Sequence, residues 1–147
     1  MTARIDIFLA IIDAWKRKDI DAVLSYMADD IVWHFAAGAE PPLVGRAQAR
    51  KFLNRFGAEL AEVRWRVFHH AESGDRLFVE GVDEYVTLQG VTVIAPYAGV
   101  LEFSGALVTG WRDYVDVGVM AAQRHGAPLT HQVQLLADRT AVTSASA

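Results

Sequence analysis

The chain has 147 residues, 52% hydrophobic and 22% charged, with a net charge of −4; this length closes one core with room for a pocket, but not two independent cores. Lysine and arginine are scattered rather than striped, which argues against nucleic acid or an acidic membrane as a partner, and the absence of cysteine removes disulfides, thiolate metal ligands and thiol nucleophiles together. No stretch approaches the roughly 20 apolar residues that span a bilayer. The apolar run 7–12 is bordered by Asp6 and Asp13 and followed by no small-residue cleavage site, so a soluble cytoplasmic protein without a signal peptide is expected.

In chain order, Ile5, Phe8, Leu9, Ile12 and Trp15 recur at three- and four-residue steps and predict an amphipathic helix that needs a sheet to cover. Asp19 is placed to cap a second helix with Ile20, Val23, Leu24 and Met27 inward, ending near residues 28–30. Residues 31–35 predict a short strand, 38–45 a loop containing Pro41 and Pro42, and 47–60 a third helix. From Val63 the period becomes two, and turn signals at Ser73-Gly74-Asp75, Gln89-Gly90 and Ser104-Gly105 divide strands over 63–70, 77–88, 91–103 and 106–117. Helices followed by an antiparallel meander predict an α+β fold, a curved antiparallel sheet wrapped around N-terminal helices into a cone. Residues 1–125 are expected to form the single domain, and residues 126–147, with Gly126, Pro128 and a Thr/Ser/Ala-rich end, a partly mobile tail.

Two strands carry an aspartate within an oily face. Leu77, Val79, Gly81, Asp83 and Tyr85 share one side of the first, and Leu107, Thr109, Trp111, Asp113 and Val115 one side of the second. An ionised carboxylate in an apolar medium is costly, so such a group either finds partners or keeps its proton, the condition acid–base enzymes use. The bland alternative is a strand-end aspartate facing a wet groove, and two such residues in one sheet set the two readings level. The same parity brings Trp33, Phe35, Trp65, His69, Tyr85, Tyr97 and Trp111 around the pair as pocket walls and donors. His69 is a secondary candidate, because a histidine on an apolar face is more often satisfied by a backbone carbonyl. His69 and His70 point to opposite faces and cannot share a metal, and no phosphate-binding glycine loop, nucleophile elbow or zinc helix is present, so neither cofactor nor metal is expected. An outer sheet face with Phe68, Phe78 and Tyr114 is expected to bury against a second copy, giving a homodimer.

The stretch Val108-Thr109-Gly110-Trp111-Arg112-Asp113-Tyr114-Val115-Asp116 resembles the closing strand of the limonene-1,2-epoxide hydrolases and the SnoaL-like proteins of the nuclear transport factor 2-like superfamily. Phe68-His69, Glu80-Gly81-Val82-Asp83, Ala98-Gly99-Val100 and Asp29-Asp30-Ile31-Val32-Trp33 match in order and approximate spacing, so that the resemblance covers residues 5–119. It implies the same cone, with Asp83 as the acid that protonates an epoxide oxygen and Asp113 as the base that activates water. The chain departs from that pattern at three places: Gly81 stands where the resemblance implies a bridging arginine, Trp33 where it implies a tyrosine, and Phe35 where it implies an asparagine. Two carboxyls without a guanidinium between them should share one proton, while the holding of water is weakened unless Tyr97 or His69 restores a donor. Expected, then, is cofactor-independent acid–base chemistry on a small hydrophobic molecule, epoxide hydrolysis first, with isomerase- or cyclase-type proton transfer as the rival enzyme class and a non-catalytic ligand-binding module as the rival outside enzymology.

Overall fold

In the computed structural model, which describes residues 2–144, helix α1 (Arg4–Lys16) buries Phe8, Ile11, Ile12 and Trp15 along one stripe. That stripe is what the sheet curls around. Helix α2 (Ile20–Ser25) begins at Asp19, whose side chain accepts a hydrogen bond from the Ala22 amide at 3.1 Å. It stops before the residues expected to end it, because strand β1 (Met27–His34) starts there; Arg46 binds the Met27 carbonyl and pairs with Asp29 at 3.1 Å. The two-residue strand β2 (Leu43–Val44) and helix α3 (Arg46–Ala58) follow.

The meander forms with three differences from expectation. The strand expected over 63–70 is two strands, β3 (Leu60–Val63) and β4 (Arg66–Ser73), both pairing with β5 (Arg76–Thr87). Within β4 the register slips between Val67, opposite Gly81, and His69, opposite Glu80. The extra residue, Phe68, reverses the side-chain parity beyond it. Strands β6 (Thr92–Ser104) and β7 (Leu107–Val115) continue the antiparallel run, and a shift between Glu102 and Phe103 turns Val108 inward and leaves Leu107 exposed, the reverse of the expected faces at that end. The sheet order is β2-β1-β7-β6-β5-β3, with β1 parallel to β7. The result is the expected mixed α+β cone, its core running from Phe8 and Ile11 on the helix to Leu101, Val67 and Trp111 on the sheet.

Beyond β7 the chain holds two helices that the sequence reading does not predict, α4 (Val117–Arg124) and α5 (His131–Ala137). Helix α5 lies on the outer sheet face, where Ala137 joins Phe68 and Val82 in a second small core, so Phe68 is covered by the chain's own C-terminal segment. Arg139 stacks on the Phe68 ring at 4.6 Å and pairs with Glu80 at 2.7 Å, and the Val142 amide donates to the Val67 carbonyl at 2.7 Å. Part of the expected mobile tail, residues 145–147, lies outside the described residues. No described helix is long and apolar enough to cross a membrane.

Candidate active site

Strand β6 is the middle of the site. Its inward residues Ala95, Tyr97 and Gly99 stand between β5 and β7, with Asp83 opposite Ala95 on one side and Asp113 opposite Gly99 on the other. Small residues at both positions leave room for the carboxyls, and the Tyr97 phenol rises between them. The fit at Gly99 is close: a Cβ there would lie 2.7 Å from Asp113 Oδ1. Asp113 is only 9% exposed. Trp111, two residues earlier on the same face, donates its indole N–H to Asp113 Oδ1 at 2.9 Å.

The walls are aromatic. Trp111 is sandwiched between Trp33, centroids 4.9 Å apart and 20° from parallel, and Trp65, at 5.9 Å and 14°. Phe8 supports the edges of Trp65 and Trp111 from α1, and Phe52 of α3 stacks on Phe35 at 4.3 Å. Together these enclose a cavity of about 350 Å³ lined by both carboxyls, Trp33, Phe35, Trp65, Tyr97 and Trp111, a size suited to a small organic molecule. Seven of the nine residues singled out from the sequence therefore meet in one place.

The other two do not. His69 is exposed on the outside of the cone, because the bulge at Phe68 reverses its face. Tyr85 is buried just behind the cavity, where its ring packs against Phe56 and its hydroxyl accepts from Arg124 Nε at 2.8 Å. Arg124, which the sequence reading missed, lines the cavity from α4 together with Met120 and Val117. The signal that could have found it is Asp116, an N-cap whose side chain accepts from the Val119 amide at 3.0 Å; recognising that cap would have ended the strand and begun a helix.

Burial dominates the electrostatics. It pushes Asp113 up to about 8, with the Asp83 charge adding to the rise and the Trp111 and Trp33 indoles opposing it. Asp83, half-buried, is raised by desolvation to about 6, with the Arg124 cation holding it down. The Tyr97 hydroxyl is driven well above its ordinary range by burial and then by the neighbouring Asp113 charge, so it keeps its proton. At neutral pH the pair thus carries about one proton, resting mainly on Asp113. Among the described residues three buried polar atoms on this cavity have no hydrogen-bond partner: Trp33 Nε1, Trp65 Nε1 and Tyr97 Oη. Trp33 favours the Asp113 anion without reaching hydrogen-bonding geometry, as Trp65 does toward the Tyr97 oxygen. Native proteins rarely leave such groups unpaired.

The position of the implied bridging arginine is closed to it. A Cβ on Gly81 would fall 2.0 Å from the Arg66 carbonyl oxygen, inside the backbone of β4.

Solved structures share this architecture at low identity. An LEH-like epoxide hydrolase from M. tuberculosis aligns at 23% identity over 82% of this chain and 87% of its own, with a TM-score of 0.71. A protein from Catenulispora acidiphila with a ketosteroid isomerase-like fold, in complex with trimethylamine, aligns at 23% over 83% and 93% (TM-score 0.73). A protein from Shewanella denitrificans assigned to the SnoaL-like polyketide cyclases aligns at 18% over 83% and 96% (TM-score 0.75). The profile of the SnoaL-like domain matches residues 8–111, from within α1 to Trp111 in β7, and the chain belongs to that family.

Proposed function

We propose that this protein is a cofactor-independent acid–base enzyme that moves a proton within a small hydrophobic carbonyl compound, with Asp83 as base and Asp113 as acid. The observation that carries the reading is the set of unpaired donors, Trp33 Nε1, Trp65 Nε1 and Tyr97 Oη, in the same cavity as two unequal carboxyls. The order of the carboxyls supports roles opposite to those the family resemblance implies, since the more basic Asp113 holds the proton. Asp83 takes a proton from the carbon next to the carbonyl, that C–H pair becomes the enolate C=C bond, and the oxygen takes up the charge. Protonated Asp113, the phenol and the indoles are the donors available to that oxygen, and general acid–base catalysis of this kind contributes about 10² to 10⁴ in rate. Return of the Asp83 proton to another carbon gives an isomer; attack of the enolate carbon on a second carbonyl, with Asp113 protonating the new alkoxide, gives a ring.

Epoxide hydrolysis is the second reading, favoured by the retention of both carboxyls. It would have Asp113 protonate the epoxide oxygen and Asp83 activate a water. Against it stand Trp33 and Phe35, which line the cavity where the resemblance implies water-holding groups, and a Gly81 position with no room for an arginine. Turnover of enolisable ketones and epoxides in ¹⁸O-labelled water separates the readings, because only hydrolysis puts the label into product. Retention of any discovered activity in both Asp83→Asn and Asp113→Asn would overturn acid–base catalysis by this pair, and binding without turnover in the wild type would leave a ligand-binding module.

A further inference from the structure

We infer that the mouth of the cavity is an anion-reading subsite, built on Arg124 with Arg55 also on the lining, that selects hydrophobic substrates bearing a carboxylate. The inference rests on the reading of the cavity as a substrate site and adds which substrates it takes.

Arg124 lies outside the segment matched by the family profile, which ends at residue 111, and its placement is rigid. Strand β6 runs past the end of β7, and there the Gln123 amide acts as a substitute strand. Its Oε1 accepts from the Ile94 amide at 2.6 Å, and its Nε2 donates to the Ile94 carbonyl at 3.0 Å. With its N-terminus capped by Asp116, α4 is held at both ends, and the residue after Gln123 is delivered to the cavity rim. The Arg124 guanidinium is then wedged between two rings, its Cζ 5.3 Å from the centroid of Tyr85 and 5.9 Å from that of Phe56.

The guanidinium is held in place but not satisfied. Of its five N–H donors, only Nε–H makes a side-chain hydrogen bond among the described residues, to the Tyr85 hydroxyl. Its nearest carboxylate, Glu59, stands 3.9 Å from Nη1, too far for a hydrogen bond, and is half exposed. Arg55, which also lines the cavity, is exposed and has no hydrogen bond or ion pair among the described residues. Inward from this pair the wall is apolar, through Met120 and Val117 to the indoles. The cavity therefore offers an oily body with a preorganised cationic rim, the complement of an amphipathic acid. Glu40 and Glu59 share the rim, but both are solvent-exposed carboxylates, whereas the cation is packed between rings and acts on Asp83. A carboxylate seated on Arg124 also weakens that cation's hold on Asp83, so Asp83 becomes the stronger base when substrate is present.

The test uses the intact protein and the fluorescence of Trp15, Trp33, Trp65 and Trp111, all of which line the cavity. The probes are 4-phenylbutyrate and its neutral counterpart 4-phenylbutyramide, titrated near neutral pH. A charge-assisted hydrogen-bonded pair predicts that the carboxylate binds at least about tenfold more tightly than the amide, an advantage that shrinks with added salt. Arg124→Gln should reduce the preference to within about twofold while leaving the amide affinity unchanged, Arg124→Lys should keep part of it, and Glu59→Gln should raise carboxylate affinity severalfold. Equal affinities in the wild type, a preference that survives Arg124→Gln, or no binding of either probe would each overturn the inference; should Arg124→Gln not fold, the Glu59→Gln result decides. Equal affinities in the wild type alongside activity that still needs Asp83 and Asp113 would sink this subsite alone. A carboxylate preference alongside full activity in the Asp→Asn variants would sink the acid–base reading alone.

Discussion

Replacing Asp113 by asparagine should make the protein less sensitive to alkali. Burial raises this carboxyl from an ordinary 3.8 to about 8. Between those values the folded chain holds a proton that the unfolded chain has released. The folded state is therefore fully favoured below about pH 4 and loses stability as pH climbs toward 8. At about 1.4 kcal/mol per pH unit, moving from about pH 5 to about pH 7 removes roughly 3 kcal/mol on account of this group, a large share of a typical stability of about 5–15 kcal/mol. Asparagine keeps the shape that Gly99 admits and an oxygen for the Trp111 indole, but has nothing to titrate. Urea denaturation of wild type and Asp113→Asn at the two pH values should show the variant's advantage growing by about 3 kcal/mol, with the Asp83 contribution cancelling because both proteins carry it. An advantage constant to within about 0.5 kcal/mol would refute the claim that Asp113 is protonated when folded.

The rate of the proposed reaction should trace a bell, rising as Asp83 ionises near about 6 and falling as Asp113 loses its proton near about 8; a pH profile of kcat/KM with no alkaline limb would contradict the assignment of the acid. Tyr97→Phe removes a buried hydroxyl that has no partner, so melting should show it unchanged or stabilised by about 1 kcal/mol while kcat falls at least about tenfold. In Gly99→Ala the new methyl would press on Asp113 Oδ1, and we expect about a hundredfold loss of kcat with the fold retained by circular dichroism. We also propose a homodimer through the outer sheet face, where Phe78 and Tyr114 remain 41% and 55% exposed; light scattering at micromolar concentration that returns the monomer mass would exclude it.

The parts of this site that alternation can reach were legible in the sequence. Strand β5 pairs with β6 without a register shift, so counting by twos along it placed Asp83 correctly. The same count failed on β4, because a bulge is a backbone event with no clear residue signature: Val67 and Phe68 are both buried, and everything after them changes side. His69 was lost from the site for that reason alone. Arg124 was missed because α4 is short and its placement depends on Gln123 clasping Ile94, a contact between residues 29 apart in the chain. Nor could any pattern reveal that Trp65 and Tyr97 would be left unpaired, since that depends on the angles at which neighbouring rings meet.

Gly81 carries a consequence for how this cavity can change. What fills the space beside it is the Arg66 carbonyl, part of the main chain, so no replacement of a neighbouring side chain can open that space. Any larger residue at this position requires β4 to slide along β5, and a slide is a change in strand length, an insertion or a deletion, rather than an exchange of one amino acid for another. Libraries of point substitutions around the cavity can reshape its walls and its rim, but they cannot seat a bridging arginine at position 81. The register of one edge strand thus sets a boundary in sequence space around the chemistry this cavity can acquire stepwise.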